Sequence, residues 1–319
     1  MALKQPRHVQ QVEDPGIGTS FEHPLKRLMG KDGQFIIRRE GELSGLREGF
    51  IALVTMSVPR LVGTFILGYL GMNLLFGSLY MIIGVDHLGN ADMTSLATRW
   101  MSALGMSIQT LTTVGYGSLY PNAPAAWLLA AIEGVFGILG FSLISAVIYA
   151  RFARPTTRMA YSEKALIAPF KDGWAFMLRL ANRRSTLMAE VEARLLLVMA
   201  HVDDEGERLN YYNLKLQFDK VSFLPLSWTM VHPITVESPL AGLSHADLVQ
   251  RRAEVILILK GIDEGYMQQV ITRHSYRYDE IVWGGRYVRA FNVQAGHMRL
   301  DLDKLNAYTK VEVPERMPE

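Results

Sequence analysis

The chain has no cysteine. Disulfides, thiolate metal sites and cysteine nucleophiles are excluded, and the absence agrees with polar parts that face the cytosol. Charge is also scarce. Asp, Glu, Lys and Arg make up 20% of 319 residues, and the formal net charge is only +2. So small an excess gives no electrostatic case for nucleic acid as a partner. The first 45 residues hold no apolar core run, so no signal peptide is expected in them. GxGxxG is missing, which argues against a dinucleotide-binding regulator. The eight histidines show no HExxH or comparable spacing. His201 and His274 are either pH-responsive or ordinary solvated or core residues. No nucleophile–base grouping is visible, and neither enzymatic activity nor a cofactor is expected.

What the chain does have is an uneven spread of apolar residues. Mean hydropathy is slightly positive, and the excess lies between about residues 50 and 152. Residues 1–20 lack periodicity and read as a poorly ordered tail. Lys31-Asp32-Gly33 signals a turn, and Gln34 to Arg39 reads as a short strand seeking a sheet. From Leu46, apolar residues recur at Phe50, Leu53 and Val54, the stripe of a helix lying along a membrane interface. Pro59 separates it from the first long apolar run. Val58 to Val85 and Ala125 to Phe152 each exceed the ~20 residues needed to cross hydrocarbon. Ser95 to Thr110 is helical in pattern but too short and polar to span, and suits a re-entrant segment. Basic residues flank the outer ends of the two spans, so both termini are expected in the cytosol, in a multi-pass protein of the cell (inner) membrane. After Pro155 the texture is of short strands: Trp174–Leu180, Glu192–Val202, Leu214–Phe218, Trp228–His232, Glu254–Lys260, Tyr266–His274 and Arg286–Val293. That spacing suggests a β-sandwich. Ser244 is a candidate helix cap. The expected division is 1–45, an N-terminal cytosolic segment with a strand; 46–57, an interfacial slide helix; 58–155, a membrane domain; and 156–319, a cytosolic sandwich.

Between the spans stands Thr113-Val114-Gly115-Tyr116-Gly117. TVGYG is the sequence of loops whose backbone carbonyls replace the water shell of potassium. Thr113, Val114, Gly115 and Tyr116 are the expected K+ ligands, with the ion as cargo. Gly115 and Gly117 permit backbone angles that let successive carbonyls face one axis. Val114 and Tyr116 are expected to point away and brace the loop. Alone, TVGYG also suits a strand–turn in a β protein; between a re-entrant helix and two spans, the filter reading prevails.

Together with Arg27 to Ile36 (RLMGKDGQFI), Ser57-Val58-Pro59, Ala150 to Pro155 (ARFARP), Leu178 to Arg183 (LRLANR), Glu237 to Leu240 (ESPL), Glu280 to Gly284 (EIVWG) and Val313-Pro314, this loop makes the chain resemble the inward-rectifier potassium channels, their bacterial branch most closely. The resemblance covers roughly residues 26–314. It implies a two-span α-helical pore domain with re-entrant helix and filter, an immunoglobulin-like all-β cytosolic sandwich, and a homotetramer. Tyr149 matches the inner-helix gate. Gly134, Gly137 and Gly140 are hinges or close-packing sites. Gly261 to Gln269 resembles the family's cytosolic apical loop, with Met267 and Gln268 nearest the constriction and counted with Tyr149 as gate candidates.

Phe141 stands where strong rectifiers carry an acidic residue that binds Mg2+ or polyamines, so block by such ions is expected to be weak. Glu205 matches a cytosolic-pore acidic position or is a turn residue. Arg151 and Arg154, with Arg60 at the start of the first span, are the candidate contacts for anionic lipids or phosphoinositides. Gln109 and Leu119 replace a carboxylate–arginine pair of many relatives, so neutral hydrogen bonds must brace the filter. Glu133, an intramembrane carboxylate and candidate filter support, serves either an ion path or the structure.

Overall fold

The computed structural model describes residues 11–21, 27–31, 33–37, 45–154, 158–203, 206–294 and 296–318. They form two units, Glu40–Arg154 and Met1–Arg39 with Pro155–Glu319. The strands, numbered along the chain, begin with β1 (Gln11–Val12), β2 (Ser20–Phe21), β3 (Leu88–Gly89), β4 (Tyr120–Pro121), β5 (Met159–Tyr161), β6 (Ala165–Phe170) and β7 (Gly173–Asn182). They continue with β8 (Met188–Asp203), β9 (Gly206–Leu214), β10 (Lys220–Phe223), β11 (Ser227–Ile234), β12 (Glu254–Asp263), β13 (Gln268–Arg277) and β14 (Ile281–Trp283). The last are β15 (Gly285–Tyr287), β16 (Phe291–Gln294), β17 (His297–Leu300) and β18 (Tyr308–Lys310).

The helical unit holds α1 (Leu46–Thr55), α2 (Val58–Ile83), α3 (Leu96–Leu111) and α4 (Pro124–Ala153). Ser57 has extended backbone, and Pro59 sits in the first turn of α2, where its missing N–H is no loss. At 26 and 30 residues, α2 and α4 are long and apolar enough to cross a membrane. On a single chain Ile66, Leu67, Leu74, Leu128, Ile138 and Leu139 are exposed, as expected of a surface that meets lipid or other copies rather than water. The start of α3 is a capping box. Thr98 N–H donates to Ser95 Oγ and Ser95 N–H to Thr98 Oγ1. Phe76, Tyr80, Val85, Leu88, Ala103, Met106 and Ala126 pack α2, α3 and α4 together. The short β3–β4 ladder ties the loop before α3 to the segment before α4.

The other unit is built on a sandwich of two sheets, with two separate strand pairs, β15–β18 and β16–β17, beside it. One runs β1-β9-β8-β12-β13, with β10 on β8 and β2 on β9; the other runs β11-β7-β6-β14, with β5 on β7. Among the described residues, only the β14–β6 pair is parallel. Alternate residues build the core, as a period of two requires. Leu195, Leu197, Val255 and Leu257 from one sheet meet Phe176, Leu178, Leu180 and Met230 from the other. The outer face of the larger sheet, at Val198, Ala200, Tyr211 and Ile256, is covered by Met29 and its neighbours. Ser244 does cap α5 (His245–Gln250), exchanging hydrogen bonds with Asp247.

Several expectations need correction. Gln34 to Ile37 form no strand; Phe35 makes a single bridge to Met29, and Arg38 and Arg39 lie outside the described residues. The turn at Lys31–Gly33 brings the chain straight back, with Gly30 N–H donating to Gln34 O and Ile36 N–H to Leu28 O. Preceding backbone donors are satisfied by a side chain: Glu254 accepts from the N–H groups of Leu28 and Met29. The expected tail is not wholly irregular, since β1 and β2 extend the larger sheet beside β9. Leu214 ends a strand rather than beginning one; β9 precedes it and was not expected. The run Arg286 to Val293 is split between β15 and β16.

Two histidines in the sandwich resist protonation. Burial pushes His232 below its ordinary value, opposed by a hydrogen bond to the Lys215 carbonyl. Burial also lowers His274, to about 4, where it stacks on Tyr161 at 4.4 Å. The unfolded chain takes up these protons first, so folded stability is complete above pH 6.5 and falls as pH drops from 6.5 towards about 4. Thermal unfolding of the purified protein should show this loss, and His274→Phe should reduce it by on the order of 1–3 kcal/mol.

Candidate functional site

The loop after α3 is fastened by its own backbone donors. Thr113 N–H donates to Thr110 O, and Val114 and Gly115 N–H both donate to Gln109 O, at 3.0 and 3.2 Å. Beyond that point the backbone alternates. Thr113, Gly115 and Gly117 have φ of 61°, 59° and 77°, while Val114 and Tyr116 between them do not enter the positive region. Such alternation turns successive peptide planes so that their carbonyls gather on one side. Among the described residues, no carbonyl from Thr113 to Gly117 accepts a hydrogen bond. An added Cβ at Gly115 or Gly117 would meet nothing within 4 Å of one chain, so conformation rather than space calls for glycine. Thr113 is β-branched and still left-handed, a strain of about 1–3 kcal/mol. Val114 and Tyr116 are exposed, the latter 79%, so within one chain they brace nothing.

The brace comes from behind. Gln109 is buried, and its Nε2 donates to Leu119 O at 2.6 Å. A neutral amide thus links α3 to the chain after the loop, between the two positions that lack a charged pair. Its Oε1 is buried and unpartnered among the described residues. Glu133 is completely buried. Tyr80 Oη on α2 donates to its Oε2 at 2.9 Å, and Ser107 Oγ on α3 lies 2.5 Å from its Oε1. The same Ser107 Oγ is 3.2 Å from Asn73 Oδ1 on α2. Glu133 therefore joins three helices. Local sequence cannot reveal such a site, because Tyr80, Asn73 and Ser107 lie on other helices and share no spacing with Glu133. Gly137 lies against the carbonyl of Leu111, where any Cβ would clash, whereas Gly134 and Gly140 have open space. Close packing is the account of Gly137.

Phe141 and Tyr149 are 74% and 75% exposed along α4 of a single chain. Met267 closes the β12–β13 hairpin with φ 49°, and Gln268 opens β13; both are exposed. Glu205 lies outside the described residues. Arg60 and Arg154 are exposed. Arg151 is different, because its Nη1 donates to the carbonyls of Leu53, Val54 and Met56 at 3.3, 3.1 and 2.6 Å. It caps the end of α1, where unpaired carbonyls and the negative end of the helix dipole favour a cation. Sequence reasoning missed this role, since the partners lie almost a hundred residues away.

Gln109→Leu removes the Leu119 bond and leaves that carbonyl unpaired. It should destabilise the helical unit by about 1–3 kcal/mol, read as a lowered thermal midpoint in detergent. An unchanged midpoint would mean that the amide braces nothing.

Residues 159–318 match the inward rectifier potassium channel C-terminal domain, and residues 68–154 match the ion channel family. The chain is 35% identical over 285 residues to the inward rectifier potassium channel Kirbac3.1 of Paramagnetospirillum magnetotacticum, covering 88% of this chain and 95% of that protein. It is 29% identical over 313 residues to the human ATP-sensitive inward rectifier potassium channel 12, covering 90% of this chain and 72% of the relative. With two helices able to span a membrane and an all-β C-terminal unit joined in this order, the chain belongs to the inward-rectifier potassium channel family.

Proposed function

We propose that four copies of this chain enclose a potassium-selective pore in the cell membrane, with both termini in the cytosol. The observation that carries the reading is the alternating backbone at Thr113, Gly115 and Gly117, with no hydrogen bond accepted by the carbonyls from Thr113 to Gly117 among the described residues. One such loop offers a single column of oxygens. A ring around an ion needs several, and Val114 and Tyr116, uncovered in one chain, are then free to pack against neighbouring copies. Potassium, stripped of water, is held by these carbonyls and by the Thr113 hydroxyl.

Below the filter, Phe141 presents an apolar ring in place of a cation-binding carboxylate, so Mg2+ or polyamines block weakly. Tyr149 closes the path where the α4 helices converge, by bulk and by dewetting. Met267 and Gln268, at an exposed hairpin tip, form a second constriction in the cytosolic part. Arg60 and Arg154 attract anionic headgroups at the cytosolic face, and Arg151 does so only as far as the end of α1 releases it.

Purified protein in liposomes should take up rubidium or potassium down a gradient and reject sodium. Gly115→Ala should abolish this, and equal sodium and potassium flux in the parent would overturn the reading. Tyr149→Ala should raise open probability with selectivity unchanged. In vesicles with and without anionic lipid, Arg154→Gln should blunt the lipid response while leaving the thermal midpoint intact. Arg151→Gln should lower that midpoint as well, because it uncaps α1.

A further inference from the structure

The cluster around Glu133 is one hydrogen short if its carboxyl is ionised. Asn73 fixes the count. Its Nδ2 donates to Tyr69 O at 2.8 Å, so its Oδ1 is the atom turned towards Ser107. Ser107 Oγ is then within hydrogen-bond distance of two acceptors, Asn73 Oδ1 at 3.2 Å and Glu133 Oε1 at 2.5 Å. A hydroxyl carries one hydrogen. Tyr80 has already committed its own to Glu133 Oε2. Ser107, Glu133 and Asn73 are all buried, at 0%, 0% and 4% exposure. Among the described residues, no lysine or arginine pairs with the carboxylate. An ionised Glu133 would leave two oxygens facing each other with no proton between them, beside an uncompensated buried charge.

We infer that Glu133 is a neutral carboxylic acid whose O–H donates to Ser107 Oγ. Ser107 in turn donates to Asn73 Oδ1, Asn73 donates to Tyr69 O, and Tyr80 donates to the other Glu133 oxygen. Every donor and acceptor named is then used, and the hydrogens run in one direction from α4 through α3 to α2. Glu133 is thus a positioning residue. It holds α3 through Ser107, two residues before the Gln109 whose carbonyl fastens the loop. This consequence for conduction rests on the potassium-channel reading; the protonation itself does not.

Infrared spectroscopy of the full-length protein in bilayers tests the protonation directly. The parent should show the carbonyl stretch of a protonated carboxyl, shifted in D2O and absent from Glu133→Gln. In Ser107→Ala the band should move to higher frequency, because the O–H loses its acceptor. No such band in the parent, or one that persists in Glu133→Gln, overturns the inference. Liposome flux tests the positioning. Gln offers an N–H in place of the O–H in nearly the same shape, so Glu133→Gln should keep rubidium flux and sodium rejection within about twofold of the parent. Glu133→Ala should lose both. A Glu133→Gln protein as defective as Glu133→Ala would show that the negative charge is required and overturn the neutral form. A parent that carries no potassium would sink the channel reading while the infrared result still decides the state of Glu133.

Discussion

Backbone polar groups removed from water must be satisfied, and among the described residues the loop from Thr113 to Gly117 is satisfied on one side only. Its amide hydrogens near the start go to the end of α3, chiefly to Gln109 O, while its carbonyls accept nothing among the described residues. Unpaired carbonyls in a dry place are costly, and in the potassium-channel reading proposed above the ion meets that cost. The rest of the helical unit serves that imbalance. α3 ends where its last carbonyls reach the loop, Gln109 clasps Leu119 behind it, and Gly137 lets α4 approach the Leu111 carbonyl without a side chain between them.

The polar groups inside this unit share one pattern. Gln109 reaches Leu119 through a neutral amide, and the Tyr80–Glu133–Ser107–Asn73 cluster joins helices through hydrogen bonds, with no cation among the described residues. Directional hydrogen bonds hold helices in register without the desolvation of a full ion pair. In the sandwich, where water is near, the protein does use charge. Arg27 and Lys31 both meet Glu280, which fastens the N-terminal segment to the turn between β13 and β14.

Much of this was legible in the residues. The two spans, the short helix between them, the break at Pro59 and the cap at Ser244 come from local rules of length, apolar pattern and side-chain geometry, which act within a few residues. The loop was legible because glycine at alternate positions states its backbone conformation outright. The neutral brace was legible as a pair of absences, Gln109 and Leu119. What escaped depends on partners distant in sequence. Nothing near Gln34 reveals that Glu254 will satisfy the donors before it and that the chain will turn back. Nothing near Arg151 reveals Leu53, Val54 and Met56. β9 is hidden in the sequence because Asn210, Tyr211 and Tyr212 break a clean alternation, although its pairing with β8 requires a strand there.

The clamp at Arg151 also gives the chain an internal ligand. The three carbonyls at the end of α1 occupy one guanidinium nitrogen, and they do so with the negative end of a helix dipole behind them. Any anion that reached Arg151 would exchange one negative partner for another, so its net gain would be the difference between two charge-assisted contacts rather than the whole of one. A helix end thus already holds the cation that the proposed lipid contact would need, and through it α1 is tied to α4.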